Sequence, residues 1–267
     1  MPTIDVNGTS LYYEDTGPGS TGETIVFSHG LLWGTELFAP QIEALRGRYR
    51  CIAWDHRGQG KSAEDHRHCI GIELVWADAV ALLEKLALGR VHFVGLSMGG
   101  FVGLRMAARR PDLVNKLVII ESSAEPEPHE NVGRYRLLGR ASRLLPLRAL
   151  ASRIAPIMLG RTILHDPARK ADVARFNAVM TRRKDIWRAV NGVIDRAGVE
   201  GELQRIAAPT LVMVGDEDVA TPRAKSERLV AGLANARLAT IPRAGHSSTV
   251  EEPVAVSAAL AQFLSEH

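Results

Sequence analysis

Residues 91–100 read VHFVGLSMGG. Apolar and β-branched side chains run without a break up to Gly95, and then one serine, Ser97, stands between Gly95 and Gly99. A continuous apolar run of this length is the pattern of a strand covered on both faces. The stretch after it, 99–109, has helical spacing and is stopped by Pro111. The segment therefore reads as strand, sharp turn, helix, with Ser97 at the turn. So tight a reversal leaves no room for side chains two positions away on either side, which accounts for glycine at both. The serine Oγ is then driven out of the sheet, at the start of a helix whose N–H groups and dipole favour a developing anion. Gly-x-Ser-x-Gly in this setting is the pattern of an exposed nucleophile. The spacing of a dinucleotide-binding loop is absent, and so is the lysine of a phosphate-binding loop.

Working outward, the pattern repeats. TIDVNGTSLYYED alternates around Asn7-Gly8, a pair suited to the positive φ angles of a hairpin turn. TIVFSHG, CIAWDHRG, KLVIIESS, TLVMVGDED and RLATIPRAGH are further short apolar runs, while residues 36–46, 70–88 and 253–265 have helical periodicity. Strands alternating with helices predict an α/β fold with a mostly parallel, eight-stranded sheet and helices on both faces. The rhythm stops at about 124. Residues 124–205 hold no convincing strand and are rich in arginine and proline. They are expected to form a helical cap inserted after the sixth strand, over a core made of 1–123 and 206–267. Leu137, Leu144, Ile157, Met158 and Trp187 are apolar candidates for lining a pocket beneath it.

The whole chain sets limits on function. Its 267 residues are 46% hydrophobic and 24% charged, with a formal net charge of +3, too weak to argue for nucleic acid. The charge is uneven: residues 125–205 carry 16 Lys/Arg against 9 Asp/Glu, a local +7, so the remainder sums to −4. No stretch has the roughly 18 apolar residues of a membrane span, and the first residues lack a secretory pattern. The expectation is a cytoplasmic protein, monomer or homodimer. Cys51 and Cys69 are expected as free thiols. His66 and His68, near Asp65 and Cys69, match no zinc spacing and read as a surface loop; no metal or cofactor is expected.

A serine at neutral pH needs a base. Among nine histidines, His246 stands out, in a glycine-containing loop after the last strand. The base needs a carboxylate to orient it. Asp216, Glu217 and Asp218 close the strand before; Asp218, deeper in the loop and just before VATP, is the choice, with Asp216 and Glu121 as alternatives. Acyl transfer also needs donors for an oxyanion. The backbone N–H of Met98, directly after the serine, is one; that of Leu31, in the SHGLLWG loop where His29-Gly30 allows a sharp turn, is the other. His29, Gly30 and Trp33 are expected at the substrate pocket.

The segments FSHGLLW, AWDHRGQGKS, VGLSMGG, LVMVGDEDVATP and AGHSS together resemble the α/β-hydrolase superfamily, in its chain order of serine, acid, histidine. The resemblance spans nearly everything outside the insertion. It is strongest toward the branch of enol-lactonases, small-molecule esterases and cofactor-free haloperoxidase-like perhydrolases. It implies structural roles for Asp55 and Arg57. Haloalkane dehalogenases and epoxide hydrolases of this fold carry aspartate at the serine position, which sets them apart. The expected reaction is hydrolysis of a small carboxylic ester or lactone through an acyl-enzyme. Hydrolysis of a carbon–carbon bond in a β-diketone or ring-fission product, perhydrolysis, and a non-catalytic binding role are the alternatives.

Overall fold

A computed structural model describes residues 2–180 and 185–266. Eight strands form one sheet in the order β1 (Thr3–Val6), β2 (Thr9–Asp15), β4 (Arg50–Trp54), β3 (Thr24–Ser28), β5 (Val91–Leu96), β6 (Val114–Ile120), β7 (Thr210–Gly215), β8 (Ala236–Ile241). β2 runs antiparallel to β1 and β4; every other pairing is parallel. Asn7 and Gly8 take φ of 43° and 73° in the turn between β1 and β2, as their side chains permit.

Burial on both faces explains the unbroken apolar runs. In β3, Ile25 and Phe27 join one core and Val26 the other; in β5, Val94 and Leu96 face opposite to Val91 and Phe93. Each such side chain removed from water stabilises the fold by roughly 1.5–3 kcal/mol, so neither face tolerates polar alternation. Helices α1 (Ala39–Leu45) and α11 (Pro253–Ser265) cover the first face, contributing Leu45, Val256 and Leu260. Helices α2 (Ile72–Lys85), α3 (Met98–Arg109) and α9 (Arg223–Gly232) cover the second. The expected helix over 36–46 begins instead as a 3-10 turn, Thr35–Phe38, because Pro40 falls in the first turn of α1.

Between β6 and β7 the described residues hold no strand. They form α4 (His129–Leu144), α5 (Ala151–Met158), α6 (Arg161–His165), α7 (Lys170–Met180) and α8 (Trp187–Ile194); α10 (Ser248–Glu251) follows β8. The insertion is tied down through polar contacts. Glu217 accepts from the Thr162 N–H at 2.8 Å and the Thr162 hydroxyl at 2.6 Å, and the Ile70 N–H donates to the Arg188 carbonyl at 3.0 Å.

Candidate active site

The parallel strands end along one edge of the sheet, where open α/β sheets bind ligands. Ser97 follows β5 there with φ 50° and ψ −110°, a region that costs a non-glycine residue on the order of 1–3 kcal/mol. The surroundings hold it: its N–H donates to the Ile120 carbonyl at 2.8 Å, and its carbonyl accepts from the Ser122 hydroxyl at 2.9 Å. A Cβ on Gly99 would lie 1.9 Å from the Ser28 carbonyl oxygen, and one on Gly95 2.2 Å from that of Gly99. The two glycines are required by space, since the start of α3 presses against the ends of β3 and β5.

Three distant loops meet at this turn. Ser97 Oγ lies 2.9 Å from His246 Nε2, and His246 Nδ1 lies 2.9 Å from Asp218 Oδ2 and 3.1 Å from Oδ1. Asp218 also accepts from the N–H groups of Ala220 and Thr221, at 2.8 and 3.0 Å, and from the Thr221 hydroxyl at 2.6 Å. Burial pushes the Asp218 carboxyl up, but the adjacent His246 and the Thr221 donors outweigh it and hold the group below the ordinary carboxylate range. Asp218 is thus kept charged beside the imidazole.

The two alternatives lie elsewhere. Asp216 is exposed and accepts from the Arg243 N–H at 2.7 Å. Glu121 is buried, with its carboxylate against the Ser248 N–H at 3.2 Å. Burial raises its pKa well above the usual range, and the charge of Asp218 adds to that.

Met98 is the first residue of α3, so its N–H has no acceptor inside the helix. Leu31 shares a cavity wall with Ser97. Gly30 packs so closely that a Cβ there would lie 3.5 Å from that of Ser97. The two expected N–H donors therefore belong to segments flanking the serine.

The cavity above Ser97 and His246 encloses about 120 Å³ and is mainly apolar. Its walls include Leu31, Phe101, Leu138, Ile157, Met158 and Val190. His29, Gly30 and Trp33, expected at the pocket, are corrected: none of them lines it. His29 is turned inward, its Nε2 accepting from the His56 N–H at 2.9 Å. Gly30 is covered by Leu96, and Trp33 packs against Phe176 with ring centroids 5.4 Å apart. Of the apolar candidates in the insertion, Ile157 and Met158 line the cavity. Leu137 and Leu144 are 63% and 87% exposed, because Tyr135, Leu138, Gly139 and Ser142 occupy the inward face of α4. Trp187 packs edge-on against the His68 ring, and the Arg143 guanidinium lies over it.

Three groups had no motif to announce them. Arg196 and Glu127 bring an ion pair, 2.7 Å long and buried, to the apolar wall, and Arg196 lies over the Phe101 ring. Thr221, inside the VATP that follows Asp218, holds that carboxylate with its N–H and hydroxyl. Glu251 accepts from the N–H groups of Gly245 and Ser247, at 3.0 and 3.1 Å, on either side of His246, and from that of Gly160 in the insertion at 2.7 Å. Burial pushes the Glu251 carboxyl up to about 7 against these three donors.

Asp55 accepts from the N–H groups of Thr35 and Lys61, and Arg57 pairs with Asp65 and Asp78, all away from Ser97. Cys51 and Cys69 are free. Among the described residues no group of three or more His, Cys, Asp or Glu side chains could hold a metal ion, and no helix is long and apolar enough to cross a membrane.

The model of the alpha/beta hydrolase family matches residues 25–259. A RutD protein of Caulobacter sp. (strain K31), provisionally named a carbamate hydrolase, is 32% identical over 96% of each chain. The enol-lactonase from Burkholderia xenovorans LB400 superposes with a TM-score of 0.89 at 28% identity, covering 99% of this chain and 100% of that one. A protein from Mycobacterium tuberculosis H37Rv, provisionally called a non-heme bromoperoxidase, superposes with a TM-score of 0.85 at 27% identity, covering 98% and 96%.

Proposed function

The chain belongs to the alpha/beta hydrolase family, and from that premise we propose that it is a serine hydrolase cleaving small carboxylic esters or lactones through an acyl-enzyme on Ser97. The observation that carries this reading is the unbroken relay Ser97 Oγ–His246 Nε2 and His246 Nδ1–Asp218, with both separations at 2.9 Å, opening into an apolar cavity. Ser97 Oγ attacks the carbonyl carbon as His246 Nε2 takes its proton. Asp218 holds the imidazole with Nδ1–H facing the carboxylate and stabilises the imidazolium. The N–H groups of Leu31 and Met98 receive the oxyanion, each donor worth about 2.7–4 kcal/mol of barrier. His246 returns the proton to the departing alkoxide, and water, activated by the same imidazole, releases the acid. Residues 124–205 act as the cap that bounds the acyl pocket over a core of 1–123 and 206–267.

A carbamate presents the same carbonyl to the same groups, and the RutD relatives make it a substrate to assay alongside esters. Carbon–carbon bond hydrolysis is the second reading; the same serine, histidine and oxyanion donors would serve it, with a carbanion as the leaving group. Perhydrolysis, the further alternative, would use the same serine. The decisive experiment pairs labelling with turnover. A fluorophosphonate should label Ser97 stoichiometrically, and Ser97→Ala should abolish hydrolysis of p-nitrophenyl acetate without changing the melting temperature. Full activity in that variant ends the proposal. Neutral esters, carbamates, acidic lactones and β-diketones assayed in parallel separate the substrate classes.

A further inference from the structure

The arginine excess of the insertion takes no part in the chemistry above. Between residues 131 and 165 there are seven arginines and no acidic residue. Arg136 and Arg161 pair with Asp195 and Glu217. The other five have no acidic partner among the described residues. Such a one-sign segment repels itself unless something outside it supplies negative charge.

Helix α4 organises this charge. Tyr135, Leu138, Gly139 and Ser142, at helical spacing, face the cavity. The opposite stripe is Arg136, Leu137, Arg140, Arg143 and Leu144, with all five exposed. Leu145, Arg148 and Arg153 continue the exposed surface beyond the helix. Of the five large apolar side chains most open to water among the described residues, three are Leu137, Leu144 and Leu145. Exposed leucines scattered singly carry no meaning, but two on one basic stripe with a third just past its end do. Leucines set among arginines on a helix face is the composition of a helix lying in a lipid headgroup layer.

We propose that the outer face of α4, with Arg148 and Arg153 beyond it, docks on an anionic lipid surface. The arginines meet the phosphates and the leucines enter the acyl boundary. A second copy of this chain is a poor occupant, because it would set arginine against arginine. Nucleic acid would gain nothing from the leucines. Docking would place the roof of the cavity against the phase in which apolar esters concentrate. It does not rest on Ser97 being a nucleophile, so the two proposals fail separately.

The test is cosedimentation of the full chain with vesicles of phosphatidylglycerol mixed into phosphatidylcholine, against phosphatidylcholine alone. Binding is expected only to the anionic vesicles and should weaken as salt shortens the screening length. Each arginine near such a surface is worth about fivefold in affinity, so Arg140→Ala with Arg148→Ala should bind about 25-fold more weakly. Leu144→Asn should also weaken binding. Because these side chains are exposed, the melting temperature should not move, and Ser97→Ala should bind as the parent does. Equal binding to neutral vesicles, unchanged binding in the double variant, or binding to duplex DNA but not to vesicles overturns the proposal.

Discussion

The loops at the strand ends and the helical insertion above them solve opposite problems. At the strand ends, position is everything. Ser97, Asp218 and His246 are each held by hydrogen bonds on their flanking backbone or carboxylate: the Ile120 carbonyl and Ser122 hydroxyl at the end of the next strand for the serine, the Ala220 and Thr221 N–H groups for the aspartate, and the Glu251 carboxylate on the N–H groups of Gly245 and Ser247 for the histidine. In the insertion, shape is everything. Its cavity-facing residues are largely apolar side chains drawn from α4, α5 and α8, and many substitutions of similar volume would serve. Chemistry needs distances kept within fractions of an ångström, whereas a binding wall needs volume. The first therefore leaves short motifs in the chain and the second does not.

The largest effects should fall on the strand-end loops. Asp218→Asn keeps the shape but removes the charge that orients His246, and kcat should drop by on the order of 10⁴-fold. Asp216→Asn, on the exposed neighbour, should leave kcat within twofold or so of the parent. Equal losses in the two variants would break the assignment of the acid. Next comes the close approach under Ser97. Gly99→Ala places a methyl 1.9 Å from the Ser28 carbonyl and should cost at least about 1–3 kcal/mol in denaturant unfolding. A neutral result would mean that α3 can move off β3.

Smaller and selective effects belong to the insertion. Ile157→Ala widens the cavity and should raise kcat/KM for longer acyl chains relative to acetyl by about tenfold. A uniform loss across chain lengths would instead place Ile157 in the positioning machinery. The smallest effect joins the two regions through Glu251. Its pKa is raised from 4.5 to about 7, so the folded state prefers the protonated form. Its contribution to stability is complete below pH 4.5 and is lost as pH rises through 7. Glu251→Gln is permanently neutral and lacks that loss. The parent's melting temperature should fall relative to the variant's between pH 4.5 and 8. A constant difference would remove Glu251 from the pH response.

Much of this was legible in the chain because it is local. Gly95-Leu96-Ser97-Met98-Gly99 encodes its turn in the volumes of adjacent residues, and Asn7-Gly8 encodes its hairpin in permitted φ angles. His246 and Asp218 were legible as residues in loops after apolar strands, though their distance from Ser97 was not. His29 and Trp33 do not line the cavity although Leu31 between them does, because neighbours in a loop can turn either way. His29 turns to the His56 N–H and Trp33 to Phe176, a partner more than a hundred residues on. Leu137 and Leu144 were misjudged for a related reason: apolar periodicity names a stripe on α4 without saying which side meets the core.

The succession of strands and helices along the chain and the glycine-flanked turn at Ser97 follow from the amino acids themselves, since each depends on neighbours a few bonds away. The 2.9 Å contacts among residues 97, 218 and 246, the Glu127–Arg196 pair on the cavity wall and the triple acceptance by Glu251 exist only once the sheet is assembled. They depend on loops separated by up to 149 positions, and the register of parallel strands, not any local preference, brings those loops together.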